Sequence, residues 1–151
     1  MLSDRRTSMQ LTEILRFTVE GRPVGKARPR FTRRGFAYTP EKTVRYEAAV
    51  RAACIEAMRA QGVYKRVGVP LAIKCAFFFE PPRSWSKKRR TEAADLAPYD
   101  QKPDGDNLLK IVKDALNGVA YDDDKRICSE TATKQYSGSS LADITLYEVT
   151  R

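Results

Sequence analysis

Asp104 and Asp106 stand two residues apart in the run Lys-Pro-Asp-Gly-Asp-Asn-Leu-Leu-Lys over residues 102–110, just ahead of an apolar periodic stretch. On an extended lead-in, side chains at that spacing point to the same side. Their oxygens are hard ligands of the kind that Mg²⁺ or Mn²⁺ takes. A helix beginning here would place both near its N-terminus, where the macrodipole favours carboxylates in the ionised form. Lys110 follows Asp106 by four residues, about 40° around a helix, so its ammonium reaches over the same pocket. A second acidic group, Asp122-Asp123-Asp124, comes after the stretch. Three adjacent like charges are costly unless something positive neutralises them. Chemistry assisted by a bound divalent cation is what these residues could carry. The plainer readings are that Asp106 only caps the helix and that the acidic run is a solvated turn.

Other chemistries are excluded by residue type or spacing. The chain has no histidine, which removes Ser-His-Asp and Cys-His nucleophiles and histidine-bound zinc. A calcium loop counted from Asp104 would need glycine and glutamate where Leu109 and Ala115 stand. No phosphate-cradling or dinucleotide glycine pattern occurs, and no organic cofactor is expected. Cys54, Cys75 and Cys128 are odd in number and lack CxxC spacing, so they read as reduced core or half-buried thiols.

Charge points to the partner. There are 28 basic against 19 acidic residues, a net +9, which suits a polyanion. The basic residues crowd at Arg22, Lys26, Arg28, Arg30, Arg33 and Arg34, and again at Arg83, Lys87, Lys88, Arg89 and Arg90. A basic surface around one acidic knot implies phosphates held about a cation site. Those crowds would hold the phosphates of a polyanion without reading its sequence.

The elements that must position these residues follow from periodicity. Residues 1–10 carry no pattern and read as a disordered lead, with one domain over 11–151. Ile14 to Glu20 alternates as a half-buried strand, and Arg33-Arg34-Gly35 marks the tip of a charged hairpin. Thr39-Pro40 opens a helix running to about Ala60 and stopping at Gly62, with Tyr46, Ala49, Val50, Ala53 and Ala57 as its apolar stripe. Leu71 to Phe79 is apolar on both faces, which predicts a central strand. Residues 84–96 read as a short basic helix and 97–103 as a loop. A stronger helix follows, capped by Asp106 or Asn107 and closed by Asn117-Gly118. Strands at 127–136 and 142–149 end the chain. The expected class is α+β, a two-layer sandwich of one mixed β-sheet with helices packed on one face. No apolar run is long enough to span a bilayer and no signal peptide is visible, so a cytoplasmic protein without a membrane partner is expected.

Asp-Gly-Asp-Asn-Leu-Leu-Lys over 104–110, Asp-Ala-Leu-Asn-Gly over 114–118 and Tyr-Asp-Asp-Asp-Lys-Arg-Ile over 121–127 resemble the RusA family of phage-derived Holliday junction resolvases. Gly-Lys-Ala-Arg-Pro-Arg-Phe and Tyr-Thr-Pro-Glu-Lys-Thr upstream resemble its N-terminal half, so the likeness spans residues 15 to 149. The resemblance implies a RusA-like fold and a homodimer that cuts four-way DNA junctions by paired symmetric nicks. It implies two Mg²⁺ sites, and catalytic roles for Asp104, Asp106, Lys110 and Asp124. The family's third aspartate is the second of a pair. Three stand here, and alignment through Tyr121 and Ile127 favours Asp124, with Asp123 the fallback. Arg126 stands where the family commonly has glutamine and is assigned no role. The alternatives are a non-catalytic DNA-binding phage protein and a nuclease acting on another branched nucleic acid.

Overall fold

The structure, a computed structural model, describes residues 9–151. Its elements in chain order are β1 (Gln10–Glu20), β2 (Arg30–Phe31), β3 (Ala37–Tyr38), α1 (Glu41–Gln61), β4 (Leu71–Phe79), α2 (Lys87–Ala93), β5 (Asp95–Pro98), α3 (Gly105–Leu116), a 3₁₀ turn at Asp124–Arg126, β6 (Ile127–Ser137) and β7 (Leu141–Thr150). Five strands form one sheet in the order β1-β7-β4-β6-β5, and β2 and β3 make a separate hairpin. β4 and β6 run parallel and the other neighbours antiparallel. The expected mixed sheet is therefore present, with β4 at its centre.

Alternation decides which face is covered. On β4, Leu71, Ile73, Cys75, Phe77 and Phe79 are buried, whereas Lys74 is exposed and Ala76 and Phe78 are half-buried. In register across the sheet, Phe17, Ile144 and Cys75 form one row and Leu15, Leu146 and Ile73 another, all buried. Helices α1 and α3 lie on this face, packed on β1, on β6 and on each other. The core side of α3 is Leu108, Leu109, Ile111, Val112, Ala115 and Leu116, the three-four spacing of an amphipathic helix. On α1 the buried positions are Thr43, Tyr46, Val50 and Cys54; Ala53 and Ala57 are half-buried and Ala49 is exposed.

Several boundaries differ from expectation. The first strand begins at Gln10, not Ile14, because its pairing with β7 extends to Gln10–Thr150. Of the lead expected over 1–10, residues 1–8 lie outside the described residues. Pro40 occupies the N-cap position of α1 and no side chain caps it, so Thr39 is not a cap; Gly62 does end the helix, in the left-handed conformation at φ 67. The basic helix is shorter than 84–96. Ser86 caps it by accepting from the Arg89 amide at 3.2 Å, and Asp95–Pro98 instead forms the edge strand β5 against β6. The last two strands do not pair with each other: the 138–140 loop crosses the end of β4, and the Glu80 amide donates to Ser140 Oγ there at 2.9 Å. Cys54 and Cys75 are buried, and burial pushes their thiols up to about 11 and about 12. Protonated thiols are poor ligands and nucleophiles. Cys128 is exposed rather than part of the core.

Candidate active site

The carboxylate pair is built by the start of α3. Asp104 is its N-cap residue, extended at φ −65 and ψ 146, and Asp106 sits in the first turn. The extended lead-in expected through Asp106 is thus absent, and neither Asp106 nor Asn107 is the cap. Aspartate at an N-cap ordinarily accepts from the N2 or N3 amide, but the Asp104 side chain makes no such bond. Asp104 and Asp106 are both exposed. Both carboxylates therefore have open oxygens at the positive end of a helix dipole.

Neighbouring chain fixes where this helix start lies. Gly105 packs against β6, where a Cβ on it would lie 3.8 Å from that of Ala132. Lys134, next but one along β6, donates to the carbonyls of Gln101 at 2.8 Å and Pro103 at 3.0 Å, shaping the approach to Asp104. The Lys26 amide donates to the Asn107 carbonyl at 2.9 Å. This ties the segment after β1 across the first turn of α3. A Cβ on Gly25 would meet Pro103 Cβ at 3.0 Å and Asn107 Cβ at 3.1 Å, tight enough that the neighbours would have to give by a few tenths of an ångström. The glycine in Gly-Lys-Ala-Arg thus favours the close approach of this segment to the site.

These segments enclose a cleft of about 570 Å³ lined by Asp104 and Asn107 together with Arg22, Arg30, Lys42 and Lys102. One carboxylate among several cations is the arrangement expected of a phosphate site with a metal in it. Lys42 and Lys102 escaped the sequence reading because each stands outside the two basic crowds; Lys102, two residues before Asp104, was the more findable. Lys134 carries no local signal, since only strand pairing brings it to the loop.

Lys26 has a different job from the one its charge suggests. Its ammonium lies 2.6 Å from Glu47 on α1 and 3.2 Å from Asp114 on α3. Burial pulls its pKa down, but the hydrogen bonds to Glu47 and Asp114 outweigh this and hold it above the ordinary value. It is a clamp between the helices, already neutralised. Lys110 is 62% exposed, with Asp114 at 3.8 Å, and shares the outer ridge of α3 with Asp106. Arg28, Arg30, Arg33, Arg34, Lys87, Lys88 and Arg89 are exposed, while Arg90 is half-buried. Arg33 and Arg34 form the turn of the hairpin as expected, with the Phe36 amide donating to Thr32 Oγ1 at 3.1 Å.

The acidic run resolves into three different environments. Asp122 accepts from Arg126 at 3.1 Å, and that bond holds its pKa below the usual carboxylate value. Asp123 caps the 3₁₀ turn by accepting from the Lys125 amide at 2.9 Å. Asp124, which opens that turn, is half-buried. It does not join Asp104 and Asp106. The Tyr121 hydroxyl donates to the Lys113 carbonyl in the last turn of α3 at 2.7 Å, so the run lies toward the opposite end of the helix. Ile127 and Ala132 are separated by roughly 15 Å of strand. Among the described residues no three carboxylates or thiols converge closely enough to hold one ion. The pair itself fits a cation of the Mg²⁺ kind, which keeps several waters and takes one or two protein carboxylates plus substrate phosphate. Among the described residues of one chain, a cage of three carboxylates is not formed.

The family model for endodeoxyribonuclease RusA matches residues 20–147. That span includes α1, α3, the acidic run and both basic crowds. The uncharacterized protein YqaN of Bacillus subtilis (strain 168) is 31% identical over 144 residues, covering 91% of this chain and 98% of that protein.

Proposed function

The chain belongs to the RusA endodeoxyribonuclease family, and from that premise we propose that it is a metal-dependent endonuclease that resolves four-way DNA junctions by paired symmetric nicks in recombination and repair. The observation that carries this reading is the open carboxylate pair at the start of α3, with Asp104 lining a cleft that also holds Arg22, Arg30, Lys42 and Lys102. Asp104 and Asp106 would hold Mg²⁺, or Mn²⁺ in its place. When bound there, such an ion neutralises charge on the phosphate and makes a water more acidic. The chain's own residues supply the rest. Arg30, Lys42 and Lys102 hold phosphates in the cleft, and Lys110 offers its ammonium to an oxygen on which charge develops in the transition state. The hairpin and α2 hold duplex arms through their phosphates.

Symmetric nicks in opposite strands need two sites related by a two-fold axis, which a homodimer provides. Asp124 would reach the pair only from a second copy or after movement of its turn, and its distance within one chain favours the rival reading of a DNA-binding module without catalysis. One assay separates the two: a labelled four-way junction and a matched linear duplex, each with Mg²⁺ and with EDTA. The proposal expects nicks in the junction with Mg²⁺ alone. Binding without cleavage in every arm would support the non-catalytic reading.

A further inference from the structure

Beside the carboxylate cleft lies a second cavity, of about 750 Å³, lined chiefly by aromatic rings and guanidinium groups. Tyr99 stacks on Phe79 with centroids 4.0 Å apart and planes at 11°. Tyr136 meets Tyr99 edge-on at 4.9 Å, and Trp85 meets Tyr136 at 5.5 Å. Phe79, Tyr99 and Tyr136 are buried, whereas Trp85, which ends the row, is half-buried. A guanidinium covers each end of the row. Arg89 lies 3.6 Å over the Trp85 ring, and Arg22 lies 5.1 Å over Phe79 while donating to the Tyr99 hydroxyl at 2.9 Å.

The two cavities are neighbours. Arg22 lines both, and the Tyr99 hydroxyl donates to the Lys102 carbonyl at 2.7 Å. Lys102 is two residues from Asp104, a reach of at most about 7 Å. We propose that this aromatic pocket takes one unstacked nucleobase of the DNA strand whose phosphate lies at Asp104 and Asp106. The inference rests on the endonuclease reading and deepens it.

The chemistry of the lining selects a base over other occupants. A volume of this order accommodates a small flat ligand, and every base presents a π-face that stacks on an aromatic ring. Arg89 already demonstrates a flat partner at stacking distance on Trp85. Arg22 and Arg89 can stack and still point donors at the phosphates either side of the base. Glu80 and Asp100 also line the cavity; their negative charge keeps a phosphate from entering and leaves the base as the part that does. At a branch point, where stacking is interrupted, such a base is cheaper to extract than from continuous duplex.

Trp85 is the chain's single tryptophan, so its fluorescence reports this pocket. The full chain would be titrated in EDTA with a short single-stranded oligodeoxynucleotide and with an abasic oligonucleotide of equal length. Expected is quenching by the base-bearing strand and little by the abasic one, with affinity for the former at least about tenfold higher. In competition binding, Trp85→Phe should keep that preference and Trp85→Ala should lose it. Equal quenching by both strands, or by neither, would overturn the proposal, as would a preference that survives in a folded Trp85→Ala chain. Because no cleavage is read, failure here is distinct from failure of the nuclease reading, which the junction assay with Mg²⁺ reports.

Discussion

Lys110 and Lys26 show why charge at a residue does not declare its role. Both are lysines near the same helix start, yet one is 62% exposed and the other is held between two carboxylates. If Lys110 serves the transition state, Lys110→Ala should lower single-turnover cleavage at saturating protein by at least about tenfold, equivalent to roughly 1.4 kcal/mol. Junction affinity should change far less, because a single exposed ammonium is one phosphate contact among many. An unaltered rate in a folded variant would reduce Lys110 to a solvated helix residue. The aspartates divide in the same way. Asp122 and Asp123 are spent on Arg126 and on a turn, leaving Asp124 as the member of the run whose carboxylate is open to other duties.

Among the elements, α3 is the one on which the site depends, and the clamp at Lys26 locks it to α1. Lys26→Ala removes the cation between Glu47 and Asp114 and leaves Asp114 only the longer contact to Lys110 at 3.8 Å, at a cost of roughly 1–3 kcal/mol. Thermal unfolding should show that loss while the salt dependence of DNA binding stays near wild type. The Lys26 pKa is raised on folding, so its stabilisation is complete below the unfolded value of about 10.5 and fades as pH rises through the folded one. The difference in Tm between wild type and variant should therefore shrink in strong alkali; a gap that is constant or widens there would contradict the clamp. Elements with a long repeating pattern were legible in the sequence: α1, β4 and α3 all stand within a residue or two of their expected limits. β5 was not, because its four residues include Pro98 and a left-handed Leu96 at φ 61, and it exists through pairing with β6. The aspartate pair was legible from its motif. The cations that surround it were only partly so, since Lys134 and Lys42 reach the site through tertiary contact, and the ion pairs that occupy Lys26 are made by residues far along the chain.

At the scale of the whole molecule, the net charge is +9, with basic residues in the cleft and at the exposed hairpin tip. The hairpin stands apart from the sheet, so Arg33 and Arg34 should contribute affinity and no chemistry. Replacing both with alanine should weaken junction binding and reduce the slope of log K against log salt by about 2, near one unit per lost phosphate contact. Single-turnover cleavage at saturating protein should hold. An unchanged slope would mean that the hairpin points away from DNA.

The open carboxylates at the start of α3 are the groups that would make a DNA-binding protein into a nuclease. The most direct measurement is single-turnover cleavage of a labelled four-way junction by wild type and Asp106→Asn in Mg²⁺, with junction binding measured in parallel. Removing this negative charge weakens the hold on a metal ion but eases approach of the phosphate. Cleavage should therefore be abolished while binding is retained or tightened. Cleavage by Asp106→Asn at the wild-type rate would contradict it.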